Sequence, residues 1–239
     1  VGFDPSIRHL PTGGIWNMTD RAIVQRYLDP GEALGEVLFG LIMVLSFTVG
    51  ARLLATEEGF DTTELVVGAV GCNIAWGVID GVLFVLGNLF HRSQRARFYR
   101  SLRSAPNEAE ALAAVREEFG LEDEPLAICP EDRARLYEAI LTLSAHAAPA
   151  RARLLRRDFS SALTVFLLVS TAALPGVIPF LLLEDSDLAL RVSNAVLILL
   201  LFLGGYRWGY YTDARPWRVG LTVMFLGVAM VLVAVALGG

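Results

Sequence analysis

Two polar side chains stand where the chain is otherwise apolar. Asn73 and Asp80 lie inside ELVVGAVGCNIAWGVIDGVLFVLGNLF, Glu64–Phe90. With Gly77 between them they are spaced i, i+4 and i+7, which puts all three on one face of a helix. The stretch exceeds the about 20 residues needed to cross a bilayer at ~1.5 Å rise each. An Asp at the centre of such a helix costs roughly 2.5–3.5 kcal/mol on insertion, so it normally faces a partner, a cavity or an ion path. The chemistry open to it is cation or proton binding. The structural alternative is a buried hydrogen-bonded pair that ties helices together.

Other residues could serve the same chemistry. Glu36, at the mouth of the preceding apolar run, is a candidate ligand or proton acceptor; an interfacial acid stabilised by the helix dipole is the plainer reading. Met43 offers a soft thioether to Fe²⁺ or Cu⁺, or simply an apolar packing surface. Glu110, Glu117, Glu118, Glu131, Asp132 and Glu138 supply oxygen donors that suit Mn²⁺ and, less selectively, Fe²⁺. Against this, Glu131, Arg135 and Glu138 have a spacing that salt bridges on a solvated helix explain. His146 reads as a helix-end histidine, and Ser193 with Asn194 as hydrogen bonds between helices.

Several classes are excluded. Cys72 and Cys129 are too few and too far apart for a disulfide framework or a zinc site. A net charge of -5 gives no footing for nucleic-acid binding. There is no nucleophile–base pair, phosphate-binding loop or Gly-rich nucleotide motif, so neither an enzyme nor a tightly bound cofactor is expected. Residues 1–33 lack the apolar core of a signal peptide.

The elements that must position these residues follow from hydropathy. The chain is 54% hydrophobic, with a mean hydropathy of +0.53, high for a soluble domain. Residues 1–33 read as a polar arm, with a short helix over Thr19–Leu28 broken by Asp29-Pro30-Gly31. Residues 34–90 hold two membrane helices, about Ala33–Ala55 and Glu64–Phe90. Residues 91–158 form a polar insert, whose HRSQRARFYRSLR continues the second helix out of the membrane. Leu112, Val115 and Phe119 predict a helix capped by Gly120. Pro130-Glu131-Asp132 starts another, with Leu136, Ile140, Leu143 and Ala147 as its apolar side. Residues 159–239 hold three further spans, about Phe159–Leu183, Leu188–Tyr211 and Trp217–Leu237. The fold expected is all-α, with five membrane helices and a small helical cytoplasmic insert between the second and third.

Arginine placement orients the chain. All basic side chains are Arg, and about a dozen fall in 91–158, with Arg207, Arg215 and Arg218 near the turn between spans four and five. Glu57, Glu58 and Asp61 mark one of the other turns, and Glu184, Asp185 and Asp187 the second. The arm and the insert are therefore expected on the cytoplasmic side and the C-terminus on the other. Trp208, Tyr210, Tyr211 and Trp217 then form an interfacial belt. A bacterial inner membrane is the default.

GEVLFG, Gly35–Gly40, and ALPGVIPFLL, Ala173–Leu182, together with this topology, resemble the vacuolar iron transporter family. The resemblance implies a homodimer that moves Fe²⁺ or Mn²⁺ out of the cytosol in exchange for protons. The ion would be a transported substrate and not a resident cofactor. The chain departs from that pattern at the path itself. Met43 stands where the family has a carboxylate ligand, and the second helix offers Asn73 and Asp80 in place of methionine and glutamate. The thioether and carboxylate would have exchanged helices, with Met43, Asp80 and Asn73 around one ion and Glu36 at the mouth. The insert, where the family collects metal with glutamates and methionines, has no Met. A membrane scaffold or accessory subunit that has lost the ion path is the competing expectation.

Overall fold

Proline and aspartate punctuate the apolar runs and decide where helices begin. α1 spans Pro30–Leu54, α2 Thr62–Arg103, α3 Glu108–Phe119, α4 Pro130–His146, α5 Arg156–Thr171, α6 Leu174–Leu182, α7 Ser186–Gly209 and α8 Pro216–Ala236. The structure is a computed structural model that describes residues 28–54, 61–120, 128–146 and 151–237. The short helix expected from Thr19 lies, but for Leu28, outside the described residues, as do Glu57 and Glu58. Among the described residues there is no strand, and the fold is all-α. Among the described residues five helical stretches are long and apolar enough to cross a membrane: Pro30–Gly50, Thr62–Arg103, Arg156–Leu182, Ser186–Gly209 and Pro216–Ala236.

Two boundaries differ from expectation for identifiable reasons. α1 starts at Pro30 and not at about Ala33, because proline suits the first helical position, where a missing N–H costs nothing. Asp29 caps it, accepting from the Gly31 N–H at 2.8 Å. The third span is not one helix. It stops at Thr171 and restarts at Leu174. Pro175 has no N–H for the Thr171 carbonyl, and its ring crowds the preceding turn, so the ladder cannot continue through it.

The chain divides into two units, Val1–Gly81 with Ser160–Gly239, and Val82–Phe159. In the first, Leu38, Leu41, Val44 and Leu45 of α1 pack with Ala172 and Ala173 at the break, with Leu197 and Leu201 of α7, and with Val231 of α8. Gly205 lets α7 and α8 approach closely, since a Cβ there would lie 2.6 Å from Val223 Cβ.

In the second unit the core is Leu102, Ala111, Val115 and Tyr137. Asn107 caps α3 by accepting from Glu110 N–H at 2.8 Å. Gly120 ends it in the left-handed region at φ 46°, as the sequence predicts. The expected apolar face of α4 is wrong by about one residue. Leu136 and Leu143 are exposed, the latter at 70%. Tyr137 is buried instead, with Ile140 and Leu141 packed against the same core. An aromatic ring that fills the space beside Val115 outweighs two leucines in deciding which side turns inward. Arg92 and the buried Asp158 form a two-pronged ion pair, both contacts at 2.6 Å.

Candidate functional site

The polar residues of α2 meet α1 and α5 through small side chains. A Cβ on Gly40 would lie 2.7 Å from Ala172 Cβ and 2.9 Å from the Val169 carbonyl oxygen. A Cβ on Gly77 would lie 2.9 Å from Ser170 Oγ and 3.0 Å from the Phe166 carbonyl oxygen. Only glycine permits either approach. The pairs Gly40–Asn73, Phe39–Trp76 and Phe47–Gly68 show that α1 and α2 run antiparallel side by side.

Asn73 is fully buried at the centre of this contact. Its amide nitrogen donates to the Gly40 carbonyl at 3.1 Å and to the Val169 carbonyl at 2.9 Å. Both neighbours are acceptors, so the nitrogen must face them. The Val169 carbonyl is one of the last-turn acceptors that α5 leaves over where it stops. Asn73 therefore ties three helices and covers part of the break in the third span. That much matches the structural alternative for this residue. Its Oδ1 is left over, buried and without a hydrogen-bond partner.

Asp80 lies two helical turns along α2 from Asn73, half-buried. Its Oδ2 is buried and has no hydrogen-bond partner. Glu36 of α1, also half-buried, is close enough to Asp80 and to Glu32 for their charges to act on it. The register set by the Gly40–Asn73 and Phe39–Trp76 pairs puts the two carboxylates at one level of the α1–α2 contact. Met43 sits at another height. It is one turn past Gly40, on the side away from Glu36, whereas Asp80 is at the Glu36 level. The seven residues from Glu36 to Met43 rise about 10 Å along α1, too far for one ion to touch Met43 and Asp80 together.

Glu117 and Glu138 are exposed on α3 and α4. Arg135 pairs not with Glu131 or Glu138 but with Asp132, at 3.5 Å. Among the described residues no group of three or more His, Cys, Asp or Glu is gathered so as to hold a metal ion. On α7, Ser193 donates to the Gly176 carbonyl at 2.6 Å, as an inter-helix bond should. Asn194 Oδ1 is buried without a partner.

Ser170 was not singled out in the sequence. Its Oγ is buried and unpartnered, beside Gly77. The available signal was its place next to the Leu-Pro step that breaks the third span, which frees carbonyls around it.

A family model described as the VIT family matches residues 88–239. The chain belongs to the vacuolar iron transporter family. It is accordingly an integral membrane protein of a metal-ion transporter family, and its five apolar stretches supply the spans. The VIT match includes the broken third span with Ser170, and begins past Glu36, Met43, Asn73 and Asp80. No curated protein matches the chain.

Proposed function

We propose that the chain carries Fe²⁺ or Mn²⁺ out of the cytosol in exchange for protons, with Asp80 as the central ligand. One observation carries this reading: Asp80 Oδ2, on a half-buried residue of an apolar helix, is buried with nothing donating to it. A buried carboxylate oxygen in hydrocarbon is unfavourable by several kcal/mol unless a proton or cation meets it. Glu36 at the same level of the α1–α2 contact sharpens the point, because two neighbouring carboxylates are relieved by a shared proton or by a divalent cation. Ionised, the pair binds the metal. Protonated from the far side, it releases it. Asn73 Oδ1 adds a neutral oxygen at the next level, and Met43 a soft contact further along.

The oxygen-rich donor set favours Mn²⁺ and Fe²⁺ over softer ions. Arginine placement supports a cytoplasmic face for residues 91–158 and for Glu36. A homodimer in a bacterial inner membrane accords with the family and the topology. Glu117 and Glu138, exposed and ungathered, would act at most as a diffuse negative surface that concentrates cations.

Reconstituted vesicles test this. Wild type is expected to move Mn²⁺ or Fe²⁺ with opposite proton movement, and Asp80→Ala to move neither. Equal flux in both eliminates the site. The scaffold reading is favoured by one specific observation, the use of both Asn73 donors as structural ties. Wild type that folds, inserts and moves no metal would establish it.

A further inference from the structure

We propose a second cation subsite where the third span breaks, formed by Ser170 Oγ, the free Oδ1 of Asn73 and carbonyls left over at the end of α5. Hydroxyls in apolar helices usually donate to a carbonyl one turn back. Ser46 does so to Ile42 at 2.9 Å, Thr164 to Ser160 at 2.9 Å, and Thr171 to Leu167 at 2.6 Å. Ser170 does not. Its Oγ is buried yet bound to nothing, and it is turned toward the backbone of Gly77, where a side chain would collide with it at 2.9 Å.

Three further features converge on this spot. The fully buried Asn73 sits one turn along α2 from Gly77, a separation of about 5–6 Å between neighbouring side-chain positions, and its Oδ1 is unpartnered. The helix ends here, so the carbonyls of Ser170 and Thr171 are left over, and Pro175 has no N–H to give the second of them. The C-terminal end of α5 also carries the partial negative charge of its dipole, which favours a cation. Broken membrane helices coordinate ions through this combination of unwound carbonyls and side-chain oxygens.

All these donors are neutral oxygens, the chemistry of a hard cation such as Mn²⁺. Asp80 stands one turn from Gly77 on the opposite side from Asn73. An ion leaving the Asp80 level would enter this subsite next, so the inference rests on the transport reading above.

The test uses the full chain purified in detergent, with Mn²⁺ binding read from the paramagnetic resonance of free Mn²⁺ and Cd²⁺ as competitor. Ser170→Ala is expected to weaken Mn²⁺ binding about tenfold, equivalent to roughly 1.4 kcal/mol. Ser170→Cys is expected to shift preference toward thiophilic Cd²⁺ by a similar factor, which a purely structural serine would not do. Thr164→Ala, whose hydroxyl is already bound to its own helix, is expected to behave as wild type. A Cd²⁺-to-Mn²⁺ preference in Ser170→Cys equal to wild type overturns the subsite, as does wild type that binds no Mn²⁺. Vesicle flux through Asp80→Ala judges the parent reading separately. Flux lost there with an unchanged preference in Ser170→Cys removes the subsite alone.

Discussion

The two units treat their polar groups in opposite ways. In residues 82–159 they are used up locally. Asn107 caps α3 through its oxygen and also donates to Glu110 at 2.9 Å. Arg92 and Asp158 bind each other with both prongs. Arg103 donates to the Ala145 carbonyl at 3.0 Å, and His146 sits against the Thr142 carbonyl at 2.8 Å. In the unit that holds the remaining spans, Asn73, Asp80, Ser170 and Asn194 each bury an oxygen with no partner. Every such oxygen among the described residues falls in that unit. Native proteins leave few buried polar atoms unpaired, and each one asks for an explanation. The comparison teaches where to look. Glu117 and Glu138 of 82–159 are exposed on helix faces, while the unpartnered oxygens lie among the apolar helices of the other unit.

The strongest way to break this contrast is to remove a carboxylate from each unit. Asp80→Ala is expected to abolish Mn²⁺ flux in vesicles, and Asp80→Asn to do nearly as much, since a neutral amide cannot exchange a proton for a metal. Glu117→Gln and Glu138→Gln together are expected to leave flux close to wild type. A double variant as inactive as Asp80→Ala would reverse the comparison and return the metal chemistry to the second unit.

A large structural effect is expected on the other side of the contrast. Tyr137 is 1% exposed and fills the core of the second unit. Tyr137→Ala should cost about 3–5 kcal/mol, as large aromatic truncations do. Leu143→Ala should stay within about 0.5 kcal/mol. Hydrogen exchange over α3 and α4 reads both. A larger loss at Leu143 would restore the face expected from the sequence and undo the assignment of this core.

Asn73 sharpens the comparison, because it belongs to both categories: its donors are spent and its acceptor is not. Asn73→Ala takes away the donor to the Val169 carbonyl at the end of α5 and the second donor to the Gly40 carbonyl, at a cost of about 1–3 kcal/mol for a buried group left unsatisfied. Asn73→Asp is expected to be worse, because an ionised carboxylate would face those two carbonyls. Thermal unfolding in detergent separates the three proteins. Wild-type stability in Asn73→Ala would mean that the tie across the break carries no weight.

Much of this was legible beforehand because it depends on local chemistry. Apolar length marked the five membrane-length stretches, and Gly120 marked the end of α3. What escaped depends on packing between distant segments. The break at Thr171 was hidden because proline in a membrane helix is often accommodated, and only the fit of Gly40, Asn73 and Val169 shows how this one is. Ser170 was marked only by its place ahead of the Leu174-Pro175 step, since most membrane serines bond to their own helix. The height of Met43 relative to Asp80 is set by the α1–α2 register, which no periodicity within either helix contains. The inward side of α4 turned on one aromatic ring, and periodicity alone ranks Leu136 and Leu143 above it.

The smallest expected effect tests the claim that polar groups of the second unit serve only local structure. Asn107 is a cap and, by the comparison drawn above, nothing more. Asn107→Ala should cost about 1 kcal/mol, seen as faster amide exchange in the first turn of α3 around Glu110. Asn107→Asp should keep the oxygen cap but lose the donor to the Glu110 carboxylate, and so fall between wild type and Asn107→Ala. Neither should change Mn²⁺ flux. If Asn107→Asp kept the cap yet altered flux, a charge at that exposed position would be reaching the transported ion. The division between a purely structural unit and one that holds oxygens in reserve would then have to be redrawn.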